Sequence, residues 1–274
     1  MYKIALTGAS GLVGSRIVEL LGNDFEFISL SQKQLDITSK DQVWQSLKNL
    51  KYDFFLHLAA YTNVDRAETN KEIAYQTNVL GTKNIFDAVM QKNKKMIYIS
   101  TGFVFDGINP PFTEDSLPHP LGYYGQTKYE GEKILNKEAM IVRFDYPYRK
   151  AFDLKKDFVR TIKSLLEQNK TLQMVTDSTM TPTFIDDIAY GLKYLVNNYS
   201  PDVFHLVGAD SLSPFESGKL IAKNFNLSED LVQPTTYAEY FKGKALRPQY
   251  STIKSNQNHF WKMKTFEEGL KCLL

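Results

Sequence analysis

Thr7-Gly8-Ala9-Ser10-Gly11-Leu12-Val13-Gly14 decides how this chain is read. It follows directly on the apolar run Ile4-Ala5-Leu6 and leads into Leu12, Val13, Ile17, Leu20 and Leu21 at helical spacing. A strand that turns on glycines into a helix brings backbone close to a ligand. It also aims the free N–H groups of the helix's first turn outward, an arrangement that suits a diphosphate. Gly8 and Gly11 let the turn close, Gly14 lets the helix pack on the sheet, and Ser10, Leu12 and Val13 complete the cofactor-facing backbone. The spacing is G-x-x-G-x-x-G rather than G-x-G-x-x-G, and such a turn can be purely structural. Its place after the first strand gives it weight.

Outward from that turn, strand-like and helix-like segments alternate. Short apolar runs recur at 25–30, 54–58, 96–100 and 140–144. Between them lie stripes with apolar residues three and four apart: Val43, Trp44 and Leu47, then Ile73, Thr77, Leu80, Ile85, Val89 and Met90. Near-continuous apolar strands between amphipathic helices predict a parallel sheet covered on both faces, a Rossmann-type doubly wound α/β fold. Past Tyr146 the rhythm loosens. Residues 1–145 read as the dinucleotide-binding core, rejoined at about 184–208, and 146–274 mainly as a smaller substrate-binding lobe.

Composition narrows the function classes. The 274 residues carry 33 Lys and Arg against 31 Asp and Glu, a formal charge of +2. That balance offers no field for general nucleic-acid binding. Cys272 is the only thiol, which removes disulfide frameworks and thiolate metal centres. No His and carboxylate cluster has metal-ligand spacing, so no metal site is expected. No run is long enough for a bilayer span, and the N-terminus reads as a strand rather than a signal peptide. The expectation is a cytoplasmic protein with neither nucleic-acid nor membrane partners.

Two further signals bear on chemistry. After the second apolar run stands Ser31-Gln32-Lys33, with no carboxylate before Asp36. An acid there would accept the ribose hydroxyls of NAD, whereas a hydroxyl and a lysine tolerate the extra phosphate of NADP(H). NADP(H) is favoured, with NAD(H) left open. Tyr124-Gly125-Gln126-Thr127-Lys128 then sets a phenol and an ammonium four residues apart on one helix face. A nearby ammonium brings the phenol's pKa down from about 10 and makes it a usable proton shuttle. Ser100-Thr101, at the end of the fourth run, can hold a carbonyl against that phenol.

With these elements in order, the chain resembles the extended short-chain dehydrogenases/reductases, and among them the dTDP-4-dehydrorhamnose reductase family of sugar-nucleotide enzymes. The likeness runs through the glycine turn, Leu35-Asp36-Ile37-Thr38, the stretch from His57 to Glu68, and Asn78-Val79-Leu80-Gly81-Thr82. It continues in the stretch from Ser100 to Gly107 and in the Tyr124–Lys128 motif, with later matches at Thr181-Pro182-Thr183-Phe184 and Arg247-Pro248. The resemblance implies a catalytic set of Thr101, Tyr124 and Lys128. Asp36 and Ile37 would bracket the adenine, with Ala59, Ala60, Tyr61 and Asn78 toward the nicotinamide. Val64, Asp65, Phe103, Phe158, Thr183 and Arg247 would face a sugar-nucleotide substrate. A helix-mediated homodimer is a further implication.

Two departures stand out. The family's Ser-Thr-Asp pattern is here Ser100-Thr101-Gly102, and the stretch from Asp145 to Lys150 differs from the entry to the substrate lobe. Sugar-nucleotide dehydratases carry an acid pair after the threonine, so Gly102-Phe103 argues against dehydration. The predicted reaction is NADPH-dependent reduction of the 4-keto group of a nucleotide-linked deoxysugar. A 4-epimerase with retained NAD remains an alternative. So does a non-catalytic nucleotide-binding regulator, which the regulatory β subunit of methionine adenosyltransferase resembles.

Overall fold

The computed structural model describes all 274 residues. Its strands are β1 (Lys3–Thr7), β2 (Glu26–Leu30), β3 (Phe54–His57), β4 (Lys95–Thr101) and β5 (Met140–Phe144), followed by β6 (Pro147–Tyr148), β7 (Leu172–Val175), β8 (Thr183–Phe184), β9 (Val203–His205) and β10 (Val232–Thr235). Six of them form one parallel sheet in the order β2-β1-β3-β4-β5-β9. Every second side chain therefore points to the same face. Ile4, Leu6, Phe54, Leu56, Ile97 and Ile99 enter one core with α1 (Leu12–Leu21) and α8 (Ile185–Asn197). Ala5, Phe55, Met96 and Tyr98 enter the other with α2 (Lys40–Leu47) and α5 (Gly81–Gln91). Both faces are dry, so the strands read as unbroken apolar runs rather than as alternation.

The strand order reverses direction across β1, with β2 on one side and β3 on the other. Ligands of open α/β sheets bind at such a switch point, beyond the carboxyl ends of the strands. The glycine turn and the segment after β3 meet there. The stripe from Ile73 to Met90 forms α4 (Lys71–Tyr75), a π-helical turn Gln76–Leu80, and α5. One wide turn thus interrupts what the spacing presents as a single helix. It sits where Asn78 turns inward, an association common at functional sites.

Outside the sheet, Tyr148, Val159, Phe184, Ile221, Phe266 and Leu270 build a separate apolar cluster between α7 (Phe158–Glu167), α9 (Pro214–Asn224) and α11 (Phe266–Lys271). β7 and β10 pair beside it. Asp187, on α8, fixes the C-terminal segment by accepting from Lys264 N at 2.9 Å, Lys264 Nζ at 2.8 Å and Trp261 Nε1 at 3.2 Å. No helix is long and apolar enough to cross a membrane.

α6 (Tyr123–Ile134) carries the Tyr-x-x-x-Lys pair, and a buried ion pair ties it to the sheet. Arg143 Nε and Nη2 on β5 donate to the two Glu132 oxygens at 2.9 and 2.6 Å, both side chains being only 4% exposed. Removing one partner leaves the other charge uncompensated in a dry interior, which costs about 3–5 kcal/mol. Glu132→Leu is expected to lower unfolding stability by about that amount in urea titration. A change within experimental error would show that α6 is not held this way.

Candidate active site

The glycine turn is built for close approach. Gly8 has a φ of +75°, and a Cβ there would stand 2.9 Å from Ala59 N. A Cβ on Gly14 would stand 2.2 Å from Gly8 O, so only glycine lets α1 start so close to the turn. Gly11 precedes α1 in extended backbone, and no side chain caps the helix. The first-turn N–H groups are thus left for a ligand. Ser10 and Gly11 are exposed, and Leu12 and Val13 half-buried. This cradle, which any side chain would fill, fits the diphosphate of a dinucleotide.

The second strand ends as the cofactor reading requires, with one change. Ser31 Oγ donates its proton to Gln34 Oε1 at 2.7 Å, so Lys33, exposed beside it, is the free cation of the turn. The Asp36 carboxylate is engaged locally, accepting from Thr38 N at 2.9 Å and Thr38 Oγ1 at 2.7 Å. Ile37 is buried against Gly81, and its carbonyl accepts from Asn84 Nδ2 at 2.9 Å.

Ala59, Ala60 and Tyr61 follow β3 at the switch point, half-buried. Asn78 is 1% exposed and holds this segment rather than facing outward. Its Oδ1 accepts from Tyr61 N at 2.8 Å, and its Nδ2 donates to Tyr61 O and to Thr127 Oγ1 on α6. His57 is structural too: Thr7 Oγ1 and His57 Nδ1 lie 2.7 Å apart, and burial pushes its pKa down to about 3.

Thr101, Tyr124 and Lys128 converge from β4 and α6. The Thr101 hydroxyl faces the Tyr124 phenol. Burial pushes that phenol up to about 12; Thr101 draws it back and the charge of Asp145 raises it further. Lys128 Nζ donates to Ile99 O at 2.8 Å and lies 4.0 Å from the centre of the Tyr98 ring. Burial brings its own pKa down to about 7 against the pull of Glu132.

The residues read as substrate-facing divide. Phe103 packs edge-on to Tyr124, with ring centres 5.7 Å apart, and against Tyr146 at 6.1 Å. Tyr146 in turn meets Phe158 at 6.0 Å, so one aromatic layer joins both expected residues. Arg247 forms an ion pair with Asp65 and lies 4.5 Å from the Phe241 ring. Asp65, next to the half-buried Val64, also lines a groove of about 480 Å³ with Lys71, Tyr123 and Lys244. Thr183 is different. It is wholly buried, donates to Thr181 O and accepts from Gly208 N, which leaves it no donor for a substrate.

Three residues at this edge escape the sequence reading. Tyr146 has a φ of +40°, a left-handed conformation rare outside glycine and often found where structure over-determines a site. Asp145 is 1% exposed, and Ser251 Oγ donates to its Oδ2 at 2.9 Å. The departure noted over residues 145–150 pointed toward Asp145 and Tyr146, and nothing in the sequence pointed toward Ser251.

A dinucleotide cradle at the switch point and a Thr, Tyr, Lys set on the adjoining strand and helix define an NAD(P)-dependent oxidoreductase of the short-chain dehydrogenase/reductase type. The family model described as RmlD substrate binding domain matches residues 2–274, and the chain belongs to that family. A dTDP-4-dehydrorhamnose reductase of Aggregatibacter actinomycetemcomitans is 30% identical over 88% of this chain and 86% of its own. The crystal structure of the dTDP-4-dehydrorhamnose reductase of Bacillus anthracis, in complex with NADP, superposes with a TM-score of 0.92. It is 32% identical, over 98% of this chain and 97% of that one. Methionine adenosyltransferase 2 subunit beta of Rattus norvegicus is 28% identical over 85% of this chain and 75% of its own.

Lys128 allows a test of this geometry. Its pKa in the fold, about 7, lies below the ordinary 10.5, so the unfolded chain binds more protons between those values. Stability should therefore rise with pH across that window. Between pH 6 and pH 9, wild type should gain at least about 1.4 kcal/mol over Lys128→Met in urea unfolding. A gap that stays constant would mean the ammonium is not buried.

Proposed function

We propose that this chain catalyses the NADPH-dependent reduction of the 4-keto group of a nucleotide-linked deoxysugar, as the dTDP-4-dehydrorhamnose reductases it resembles do by name. The observation that carries this reading is the convergence of Thr101, Tyr124 and Lys128 at the carboxyl end of β4, in the same sheet whose first strand runs into the glycine turn. Gly8, Gly11 and Gly14 with the start of α1 hold the diphosphate, and Lys33 meets the extra phosphate. The bound cofactor supplies a hydride. Thr101 holds the carbonyl oxygen of the substrate. Tyr124, whose pKa of about 12 keeps it protonated at neutral pH, gives its proton to the alkoxide oxygen as charge develops there. Lys128 grips the cofactor's ribose and contributes positive charge beside that oxygen.

Phe103, Tyr146 and Phe158 form the apolar wall for the sugar, with Asp65 and Arg247 at its outer end. Arg247 offers a planar donor fork for phosphate once it exchanges its carboxylate partner. Residues 1–145 and the return through β9 serve the cofactor, and the remainder mainly the sugar nucleotide. The reaction belongs in the cytoplasm, with the enzyme as a homodimer. A regulatory role has support in the likeness to methionine adenosyltransferase 2 subunit beta. The intact Thr101, Tyr124 and Lys128 favour turnover over it.

Tyr124→Phe removes the proton while keeping the ring. Mixed with NADPH and a dTDP-linked 4-keto-6-deoxyhexose, it should lose about 10²–10⁴-fold in kcat, with NADPH affinity within a few-fold of wild type. Undiminished turnover would remove Tyr124 from the chemistry. A wild type that binds both ligands without oxidising NADPH would favour the regulatory reading.

A further inference from the structure

Residues 237–249 form a loop that is fixed at both ends to Asp177, just after β7. Tyr237 N, at the start of α10 (Tyr237–Tyr240), donates to Asp177 Oδ1 at 2.6 Å, and Gln249 Nε2 donates to Asp177 O at 2.7 Å. Tyr237 Oη donates to Arg247 O at 2.6 Å and closes the loop on itself. The far side of the loop crosses to α3 (Val64–Thr69) and to the start of α6. It lies directly on Gly122, where a Cβ would stand 2.3 Å from Leu246 O.

Asp65, in the first turn of α3, makes the polar contact at that crossing. Its Oδ1 accepts from Ala245 N at 3.2 Å and from Arg247 Nη2. Arg247 Nε donates to Ala245 O at 3.2 Å, and the guanidinium lies over the Phe241 ring. A planar guanidinium grips a phosphate best through two parallel N–H bonds. The Nε–Nη2 edge of Arg247 is the edge that Ala245 and Asp65 already occupy. The Asp65 side chain is 54% exposed and that of Arg247 14% exposed. An ion pair this open to water contributes little, so an anion of higher charge can displace the carboxylate.

We propose that Asp65 sets the specificity of this site for a diphosphate by competing with it for Arg247. Asp65 pairs with Arg247 until a sugar nucleotide arrives, gives way to the nucleotide's diphosphate, and reclaims the arginine as product leaves. The inference rests on the sugar-nucleotide reading above. A ligand without phosphate leaves the pair intact and gains nothing from Arg247. A diphosphate takes the Nε–Nη2 edge and releases the Asp65 carboxylate to water. Asp65 acts through Arg247 and is a positioning residue.

Calorimetric titration of the NADPH-loaded protein with dTDP at low ionic strength reads this competition. Asp65→Asn keeps an acceptor for Ala245 N and removes the charge, and it should bind dTDP at least about threefold tighter than wild type. Asp65→Ser, which also lacks the charge, should show the same gain. Arg247→Gln should weaken dTDP binding at least about tenfold. In the double variant the gain should vanish, leaving dTDP affinity within about twofold of Arg247→Gln alone. Thymidine, which has no phosphate, should bind all of these proteins alike. Equal or weaker dTDP binding by both Asp65 variants, or a gain that survives in the double variant, overturns the proposal. So does a thymidine affinity that rises as that of dTDP does, or a wild type that does not bind dTDP. A protein with the expected binding pattern that never oxidises NADPH with a dTDP-linked 4-keto-6-deoxyhexose defeats the reductase reading and leaves the competition standing.

Discussion

The Lys128 ammonium, stripped of water, donates to the Ile99 carbonyl and lies over the Tyr98 ring, and this contact docks α6 on the end of β4. A charge in so dry a place needs every partner it can find. Its position fixes where Tyr124, one turn earlier, must lie, and so where the phenol meets Thr101. The Glu132–Arg143 pair anchors the far end of the same helix to β5. Two buried cations thus determine the spacing between helix and sheet on which the site depends.

The cofactor side rests on a different constraint, the absence of side chains. Gly8 and Gly14 approach backbone so closely that no Cβ fits, and Asn78 braces the segment after β3 against α6. The near-neutral charge of the chain is consistent with this economy. In the proposed reading the phosphates to be held are few and local, met by a helix end with Lys33 and Arg247, and no global positive field is required.

The fold was legible because its signals are local and repeated. The apolar runs from β1 to β5, the intervening stripes and the turn at Gly8 all describe backbone geometry that neighbouring residues dictate. The convergence of Thr101 with Tyr124 was legible through order along the chain. What could not be read were states created by burial. Thr183 looks like an available hydroxyl until packing consumes it, and the contacts of Lys128 with Ile99 and Tyr98 have no local signature. Asp145 and Ser251 lie 106 residues apart, and their contact has no signature in either local sequence. Gly102 read as the loss of a carboxyl group. In space, Ile253 and the Asp145 carboxyl group together fill the place of its missing side chain.

The most direct measurement follows the hydride itself. NADPH carrying deuterium at its transferable position is incubated with the enzyme and a dTDP-linked 4-keto-6-deoxyhexose, and the sugar is examined by mass spectrometry and NMR. A reductase with this site will deliver one deuterium, as deuteride, to carbon 4 of the sugar for each NADPH consumed. Deuterium that stays on the cofactor, or a sugar that changes without acquiring it, would contradict the account.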